Sequence, residues 1–133
     1  MIVDSSALVA ILAREPESDR FSEIIVDAAE VSVAAPSVLE TSIVLRRYGR
    51  ELQEKLGQFL TVARITIVAF DSDQLASAQA AYLRFGRGTG HRAGLNFGDC
   101  MAYAAASVLH RPLLFKGDDF AHTDIDAVRW QSE

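Results

Sequence analysis

The sequence predicts an α/β fold in which helices cover both faces of a central, mostly parallel sheet of four to five strands. Short runs rich in Ile, Val, Leu and Phe alternate along the chain with longer segments of helical periodicity. These runs are almost continuously apolar, which is typical of strands buried on both faces, because a half-exposed antiparallel strand carries polar residues at every second position. With 133 residues, 50% of them hydrophobic and 23% charged, residues 1–133 are expected to form one globular domain.

The predicted elements alternate between strand and helix along the chain. The strands are "MIV" at the start, residues 31–35, 65–70 and 112–115, and "AVRW" near the end. The helices cover residues 5–12, 17–29, 37–48, 51–63, 72–85 and 97–109, with boundaries good to about two to four residues. Start signals support them, since Pro36 suits a first helical position and Asp71 or Ser72 suits an N-cap. The Gly-rich segment 86–96 is expected to be a mobile loop rather than a linker between domains.

The charge balance argues mildly against a polyanionic partner, because the formal net charge is −5. The positive charges are nevertheless clustered. Two groups lie in segments without acids: Arg84, Arg87 and Arg92, and Arg46, Arg47 and Arg50. Each group taken alone is explained equally well as solvated surface.

The cytoplasm is the compartment expected from the sequence. The single Cys100 has no partner within the chain, which suits a reducing environment. Asp4 interrupts the first apolar run too early for a signal peptide. The uncharged run 100–109 falls short of the ~20 residues that span a bilayer, so no membrane association is expected.

Acidic residues follow two of the predicted strands. Asp4 comes directly after the first strand, and Asp118 and Asp119 follow the fourth after a two-residue spacer. In an open α/β sheet ligands bind beyond the carboxyl ends of the strands, so these acids share one edge if the two strands are neighbours. Asp4 taken alone is explained equally well as the N-cap of a helix.

Two further acids lie in apolar helices. The residues one helical turn away from Glu40 are Pro36, Ile43 and Val44. We therefore expect its carboxylate on an apolar stripe that faces the protein, where an unpaired charge is costly and a partner cation is expected. Asp99 begins a helix that is otherwise apolar or small almost all round, although Asn96 and Asp99 also have the spacing of a capping box.

A structural role such as helix capping can explain an acid of this kind taken alone. It explains less well why several acids are expected at one edge of the sheet. Several like charges in one cleft raise each other's pKa values unless a cation lies between them. Oxygen ligands without His or Cys at zinc-like spacing favour Mg²⁺ or Mn²⁺. The three histidines, His91, His110 and His122, are scattered and are expected to be ordinary surface or core residues.

Four segments carry a resemblance to a known family: "VDSSALVA", "PSVLETSIVL", "GLNFGDCMAYA" and "PLLFKGDDFAHTDI". In this order and spacing they resemble the PIN-domain ribonucleases of the VapC toxin type, over nearly the whole chain. The resemblance implies a PIN-like three-layer α/β/α domain and a metal-dependent endoribonuclease that binds one or two Mg²⁺ or Mn²⁺ ions. It also implies an RNA substrate, with tRNA among the candidates, and a cognate antitoxin that holds this toxin of a type II toxin-antitoxin system inactive.

Residue by residue, the resemblance implies that the metal ligands are Asp4, Glu40, Asp99 and Asp119, with Ser6 as a hydroxyl that holds a water or a phosphate oxygen. Many relatives have the fourth acid where Gly117 stands here, so this role falls to Asp119 or Asp118, and we prefer Asp119. The mechanism implied is hydrolysis of a phosphodiester bond by a water that Mg²⁺ activates. The residues then expected to hold the RNA backbone are Arg84, Arg87, Arg92, Arg46 and Arg47.

Two other functions fit parts of the pattern. A phosphatase with an aspartyl nucleophile also has an Asp after its first strand, but it commonly needs a second acid where Ser6 stands. A catalytically inactive PIN-like module that binds RNA or protein is the stronger alternative, because metal ligands do not guarantee turnover. A homodimer is also expected, since the apolar residues around 12–25 and 44–60 exceed what a small monomer readily covers, unless they pack on the sheet.

Overall fold

The computed structural model describes residues 1–131, which build a parallel four-stranded sheet with helices on both faces. The strands are β1 (Ile2–Val3), β2 (Ser32–Ala34), β3 (Thr66–Val68) and β4 (Leu113–Leu114), in the spatial order β3-β2-β1-β4. Ile2 pairs with Ser32 on one side and with Leu113 on the other, and both pairings are parallel. β1 and β4 are therefore neighbours, as a shared edge of acids requires.

Six α-helices lie within the described residues: α1 (Ser5–Leu12), α2 (Ser18–Asp27), α3 (Ala35–Leu45), α4 (Arg50–Val62), α5 (Ser72–Phe85) and α6 (Phe97–Leu109). The predicted bounds of α1, α5 and α6 are confirmed to the residue. Each of these three helices begins after a side chain that accepts a hydrogen bond from its first turn, namely Asp4, Asp71 and Asn96. Among the helices of residues 1–131, none has both the length and the apolar character that crossing a membrane requires.

Successive strand residues face opposite sides of the sheet and enter two separate cores. Ile2, Ala34 and Leu113 pack in the core beneath α5 and α6. Val3, Val33 and Leu114 pack in the core formed with α1, α2 and α4. All of these side chains have no exposed surface. This burial on both faces explains why the strands lack polar alternation, and it confirms the three-layer α/β/α architecture.

The fifth predicted strand, "AVRW", is wrong. Ala127 makes one isolated parallel bridge to Leu113, and no ladder follows it within the described residues. Trp130 instead packs edge-on against Phe21, with 4.8 Å between the ring centroids, and donates its Nε1–H to the Phe115 carbonyl at 3.0 Å. Two backbone hydrogen bonds with Leu113 and the contacts of Trp130 therefore hold this segment beside β4.

The Gly-rich segment 86–96 folds back on the end of α5. Gly86 and Leu95 form a parallel bridge, and Ala93 and Leu95 are buried. The Tyr82 hydroxyl donates to the Arg87 carbonyl at 2.8 Å and holds the start of the segment against α5. The segment is therefore a packed loop, and its mobility stays a prediction.

Candidate active site

Asp4 is held at the carboxyl end of β1 by the first turn of α1. Its Oδ2 accepts hydrogen bonds from the Ser6 N–H at 3.0 Å and from the Ser6 hydroxyl at 2.6 Å. The same hydroxyl accepts from the Lys116 N–H at 3.0 Å, which ties the end of β4 to α1. The other oxygen of Asp4, Oδ1, is buried and has no hydrogen-bond partner in residues 1–131. Asp4 is therefore an N-cap and also a carboxylate with one oxygen available to a ligand.

The face that α3 buries differs from the one predicted around Glu40. The buried residues of α3 are Ser37, Thr41 and Leu45. Ile43, one turn from Glu40, is 64% exposed, whereas the other residues of the predicted stripe are half-buried, so the protein covers that stripe only in part. The Thr41 hydroxyl donates to the Ser37 carbonyl at 2.7 Å, and this bond is why a polar side chain can face the interior of this helix.

Glu40 nevertheless reaches the carboxyl edge of the sheet, between α1 and α6. The Ser5 hydroxyl donates to its Oε1, and its carboxylate lies directly against the backbone of Gly98. Within the described chain no Lys or Arg forms an ion pair with Glu40, so the partner cation expected for it is not one of these side chains and stays a prediction.

Asp99 lies in the first turn of α6 and is 8% exposed. Asn96 Oδ1 accepts from the Asp99 N–H at 2.8 Å, and Asp99 Oδ2 accepts from the Asn96 N–H at 3.0 Å, so the capping box is confirmed. Burial, reinforced by the nearby charges of Asp119 and Asp4, raises the pKa of Asp99 to about 7. The box fixes this buried carboxyl group at the end of α6 that opens onto Asp4.

Asp119 is the acid after β4 that faces the other carboxyl groups. Its carboxyl raises the pKa of Asp99 both by charge and by a hydrogen bond between the two side chains. Asp118 lines a separate cavity of about 370 Å³ together with Trp130. Gly117, with a φ of 99°, turns the chain between β4 and the two acids, a conformation that favours glycine. The geometry therefore favours Asp119 over Asp118 as the fourth acid.

The four carboxyl groups form a row of neighbours. The charge of Glu40 acts on Asp4, and the charges of Asp4 and Asp119 act on Asp99. Burial raises the pKa of Asp4 to about 6, although the hydrogen bonds from Ser6 oppose this change. Across residues 1–131, no three His, Cys, Asp or Glu side chains converge closely enough to enclose a metal ion. The side chains that could hold one are Asp4 and Asp99, with Glu40 and Asp119 on either side of them.

Lys116 is a site residue that the sequence does not predict, since it stands there only as part of the spacer between β4 and the acids. Its Nζ pairs with Glu17 at 3.0 Å and with Glu15 at 3.2 Å, both in the connection between α1 and α2. These ion pairs hold the end of β4 in place, where the Lys116 N–H supports the Ser6 hydroxyl. A lysine between a buried strand and two acids was the available signal, but its partners lie about a hundred residues earlier in the chain.

Three of the arginines expected to hold RNA lie at the end of α5 and in the packed loop. Arg84 forms an ion pair with Asp124 at 3.2 Å, and its guanidinium lies 4.6 Å from the centroid of the Phe85 ring. Arg87 is exposed and lines the groove between α5 and α6, and Arg92 is exposed in the loop. The charge of Arg84 is therefore partly balanced by Asp124, whereas Arg87 and Arg92 point to solvent-accessible surface.

The other two arginines, Arg46 and Arg47, are exposed in a short 3-10 turn that follows α3. They lie six and seven residues beyond Glu40, which corresponds to roughly 10 Å along the helix axis. They therefore flank the carboxyl groups at a distance, and their contact with RNA stays a prediction.

Exposed apolar side chains concentrate on the outer faces of α3, α5 and the start of α6. Leu83 is 78% exposed and Phe97 is 79% exposed. Both line a groove of about 650 Å³ between α5 and α6, together with Leu75 and Tyr82. The apolar residues of segments 12–25 and 44–60 are instead mostly covered, since Phe21, Ile25, Leu45, Leu56 and Leu60 are all buried. The prediction that these two segments form a dimer surface is therefore wrong, and the exposed apolar side chains lie mainly on α3, α5 and the start of α6 instead.

Comparisons with known proteins agree with this fold. The PIN domain family model matches residues 1–126. Ribonuclease VapC30 of Mycobacterium tuberculosis is 45% identical over 130 residues, which cover 96% of this chain and 98% of that protein. The crystal structure of VapC20 of Mycobacterium tuberculosis, described as a sarcin-ricin loop cleaving toxin, has the same fold, with a TM-score of 0.79, 17% identity and coverage of 96% and 98%.

A second solved structure with this fold is VapBC2 from Rickettsia felis, bound to a DNA fragment from its promoter. Its TM-score is 0.77 at 14% identity, with 98% of each chain covered. The resemblance to VapC-type ribonucleases that the four sequence segments carry is thereby confirmed. The chain belongs to the PIN domain family.

Proposed function

We propose that this protein is a metal-dependent endoribonuclease that acts as the toxin of a type II toxin-antitoxin pair. The observation that carries the proposal is the pair Asp4 and Asp99, two buried carboxyl groups with raised pKa values at the carboxyl edge of the sheet. The similarity to a ribonuclease at 45% identity supports cleavage of RNA, and the likeness to the VapBC2 complex supports an antitoxin as partner. We place its action in the cytoplasm, a reducing compartment that suits the buried lone Cys100.

Mg²⁺ or Mn²⁺ is the cofactor that this set of side chains fits. Asp4 Oδ1 is buried without a partner, and no Lys or Arg in residues 1–131 forms an ion pair with any of the four carboxyl groups. Oxygen ligands alone favour a hard divalent cation over zinc. Asp4 and Asp99 would bind the ion directly, and Glu40 and Asp119, on either side of them, would act as further ligands or orient the attacking water. When bound, the ion supplies a more acidic water and stabilises negative charge on the phosphate and the leaving oxygen.

The chain's own side chains then orient the reactants and carry protons. The Ser6 hydroxyl donates to Asp4, so it positions that carboxylate. Glu40 and Asp119, at the two ends of the row of carboxyl groups, are the side chains proposed to orient the attacking water and accept its proton. Arg87, Arg92, Arg46 and Arg47 are proposed to bind backbone phosphates on either side of the cleaved bond.

We further propose that two copies of the chain associate through the groove between α5 and α6. Leu83 and Phe97 are among the most exposed apolar side chains of the described residues, and both line this groove. Exposed apolar side chains grouped in this way mark a site of protein association. Light scattering after gel filtration should give twice the chain mass of 14.5 kDa. Leu83→Glu should return the protein to a monomer. Val26→Glu, at an equally exposed position at the end of α2, should leave the dimer intact.

The nuclease proposal is tested by incubating purified protein with end-labelled RNAs in EDTA and in Mg²⁺ or Mn²⁺. Both tRNA and an oligonucleotide with the sarcin-ricin loop belong in the panel, because VapC20 is described as cleaving that loop. We expect cleavage of at least one RNA only when the ion is present. Binding of RNA without cleavage in the presence of the ion would favour the inactive PIN-like module, and undiminished cleavage in EDTA would contradict metal dependence.

A further inference from the structure

The Glu40 carboxylate occupies the space in which any other residue at position 98 would have its side chain. A Cβ built on Gly98 would lie 2.8 Å from Glu40 Oε1 and would overlap the other carboxylate oxygen. Cβ atoms in real structures essentially never approach other heavy atoms closer than 3.0 Å. The three nearest atoms to this Cβ all belong to the Glu40 carboxyl group. The first turn of α6 and the end of the Glu40 side chain are therefore in direct contact because residue 98 has no side chain.

Helix formation does not explain a glycine at this position. Gly98 lies in the first turn of α6 and does not have a positive φ. Ala favours a helix interior over Gly by up to about 1 kcal/mol, so backbone preference alone would favour a larger residue. The reason for Gly98 is the space that it leaves for Glu40.

Ser5 completes the environment of Glu40 from the opposite helix. Its hydroxyl donates to Glu40 Oε1, and Ser5 follows Asp4 directly at the start of α1. Gly98 directly precedes Asp99 at the start of α6. The two residues that contact the Glu40 carboxylate are therefore the sequence neighbours of the two buried aspartates.

We propose that Ser5 and Gly98 are positioning residues for the Glu40 carboxylate. Together they form a contact surface, called here the Glu40 seat, which fixes that carboxylate beside Asp4 and Asp99 for metal binding. This inference rests on the proposed metal-dependent function. Glu40 comes from the middle of α3 on a flexible side chain, whereas Asp4 and Asp99 are fixed by their own helix caps. Glu40 is thus the acid whose place depends on residues outside its own element.

The Glu40 seat can be broken with little damage to the fold. The group that a side chain at position 98 would displace is the far end of Glu40, which can rotate away at low cost. Gly98→Ala should therefore leave the metal-free melting temperature equal to or above that of the wild type. It should lower the affinity for Mn²⁺ and the kcat for RNA cleavage by about 10–100-fold, the usual effect of losing a residue that orients a ligand.

Gly57→Ala is the matched control. Gly57 is also a helical glycine, in the middle of α4, and a Cβ at that position would meet no atom within 4 Å. This variant should gain helix preference and keep the Mn²⁺ affinity and kcat of the wild type. Equal losses in Gly57→Ala and Gly98→Ala would overturn the proposal.

Shortening the displaced side chain should restore the site. In the Gly98→Ala background, Glu40→Asp retracts the carboxylate by one methylene and should recover about tenfold in Mn²⁺ affinity, although the same change in the wild type weakens binding. A purely structural role for Gly98 predicts additive losses in the double variant. Likewise Ser5→Ala should weaken Mn²⁺ binding and Ser5→Thr, which keeps the hydroxyl, should retain it.

A metal-free measurement separates failure of this inference from failure of the proposed function. In EDTA, Gly98→Ala should raise the melting temperature more in a Glu40→Ala background than in the wild type, because Glu40 is then absent and no group must move. Equal shifts in the two backgrounds would overturn the Glu40 seat, whatever the metal does. A further outcome is that the melting-temperature shifts differ between the two backgrounds while the wild-type protein neither binds Mn²⁺ nor cleaves RNA. That result would support the contact between Gly98 and Glu40 and would reject the metal-dependent function on which its proposed role rests.

Discussion

The two ends of the sheet balance their carboxylates differently. At the amino ends of the strands, Glu30 forms an ion pair with Arg111 at 2.9 Å, and Arg111 also donates to the Ser32 hydroxyl at 3.2 Å. At the carboxyl ends, the four acids of the candidate site have no ion pair with any Lys or Arg of residues 1–131. The chain can therefore supply a cation where structure alone needs one. The difference supports the proposal that the acids at the carboxyl end bind a cation from outside the chain.

The largest effect should come from removing one charge at the unbalanced end. Asp99→Asn should lower kcat/KM for RNA cleavage by about a thousandfold, which corresponds to about 4 kcal/mol at the transition state. The fold should survive, because the Asn side-chain oxygen can still accept from the Asn96 N–H. Asp118→Asn, one residue from Asp119 but facing another cavity, is the control and should stay near wild-type activity. Full activity in Asp99→Asn would remove this acid from the mechanism.

An intermediate effect should appear in the pH dependence of stability without metal. Folding raises the pKa of Asp4 from 3.8 to about 6, so the folded state holds this proton more tightly than the unfolded chain. The resulting stability is fully present below pH 3.8 and is lost as pH rises through about 6. A shift of this size corresponds to about 3 kcal/mol. Urea unfolding in EDTA should therefore give less stability at pH 7.5 than at pH 5.

Asp4→Asn is the control for this pH dependence, because it removes the titrating group from the buried site. The variant should lose less stability than the wild type between the same two pH values. Mn²⁺ should also flatten the wild-type profile, since a bound cation stabilises the charged carboxylates. Parallel profiles for wild type and Asp4→Asn in EDTA would show that ionisation of the buried Asp4 carboxyl group does not lower the stability.

The smallest effect should come from the balanced end. Glu30→Gln breaks the ion pair with Arg111, but the Glu30 side chain is 66% exposed, so the loss should be at most about 1 kcal/mol and should shrink in high salt. Urea unfolding at two salt concentrations measures this loss. RNA cleavage should not change, and a clear drop in kcat would mean that the two ends are not as separate as their ion pairs indicate.

The parts of this molecule that could be predicted from sequence depend on short-range rules. α1, α5 and α6 begin where predicted because Asp4, Asp71 and Asn96 cap them with side chains two or three residues from their partners. The position of Asp4 and Asp119 at one edge of the sheet was predictable as well, since neighbouring parallel strands end at one edge. The role proposed for these acids still depends on experiment.

The predictions that failed concern contacts between segments that are distant in the chain. Apolar spacing around Glu40 says which residues share a face of α3 but not which face is inside, and here the buried face holds Ser37 and Thr41. Ser5 and Gly98 were missed because each acts on Glu40, which lies 35 residues from Ser5 in the chain. The predicted fifth strand is reduced to one bridge with Leu113, and beyond it the Trp130 indole donates to the Phe115 carbonyl, a contact that strand propensity does not reveal.

Trp130 also gives the protein a built-in optical probe. It is the only tryptophan in the sequence, and its indole donates to the carbonyl of Phe115, the residue directly before Lys116. Because the Lys116 N–H holds the Ser6 hydroxyl on Asp4, the fluorophore lies at the end of a short relay of hydrogen bonds from the acidic edge. Changes in its emission therefore follow the end of β4 in the unlabelled protein, and titrations can be read by intrinsic fluorescence without an attached dye.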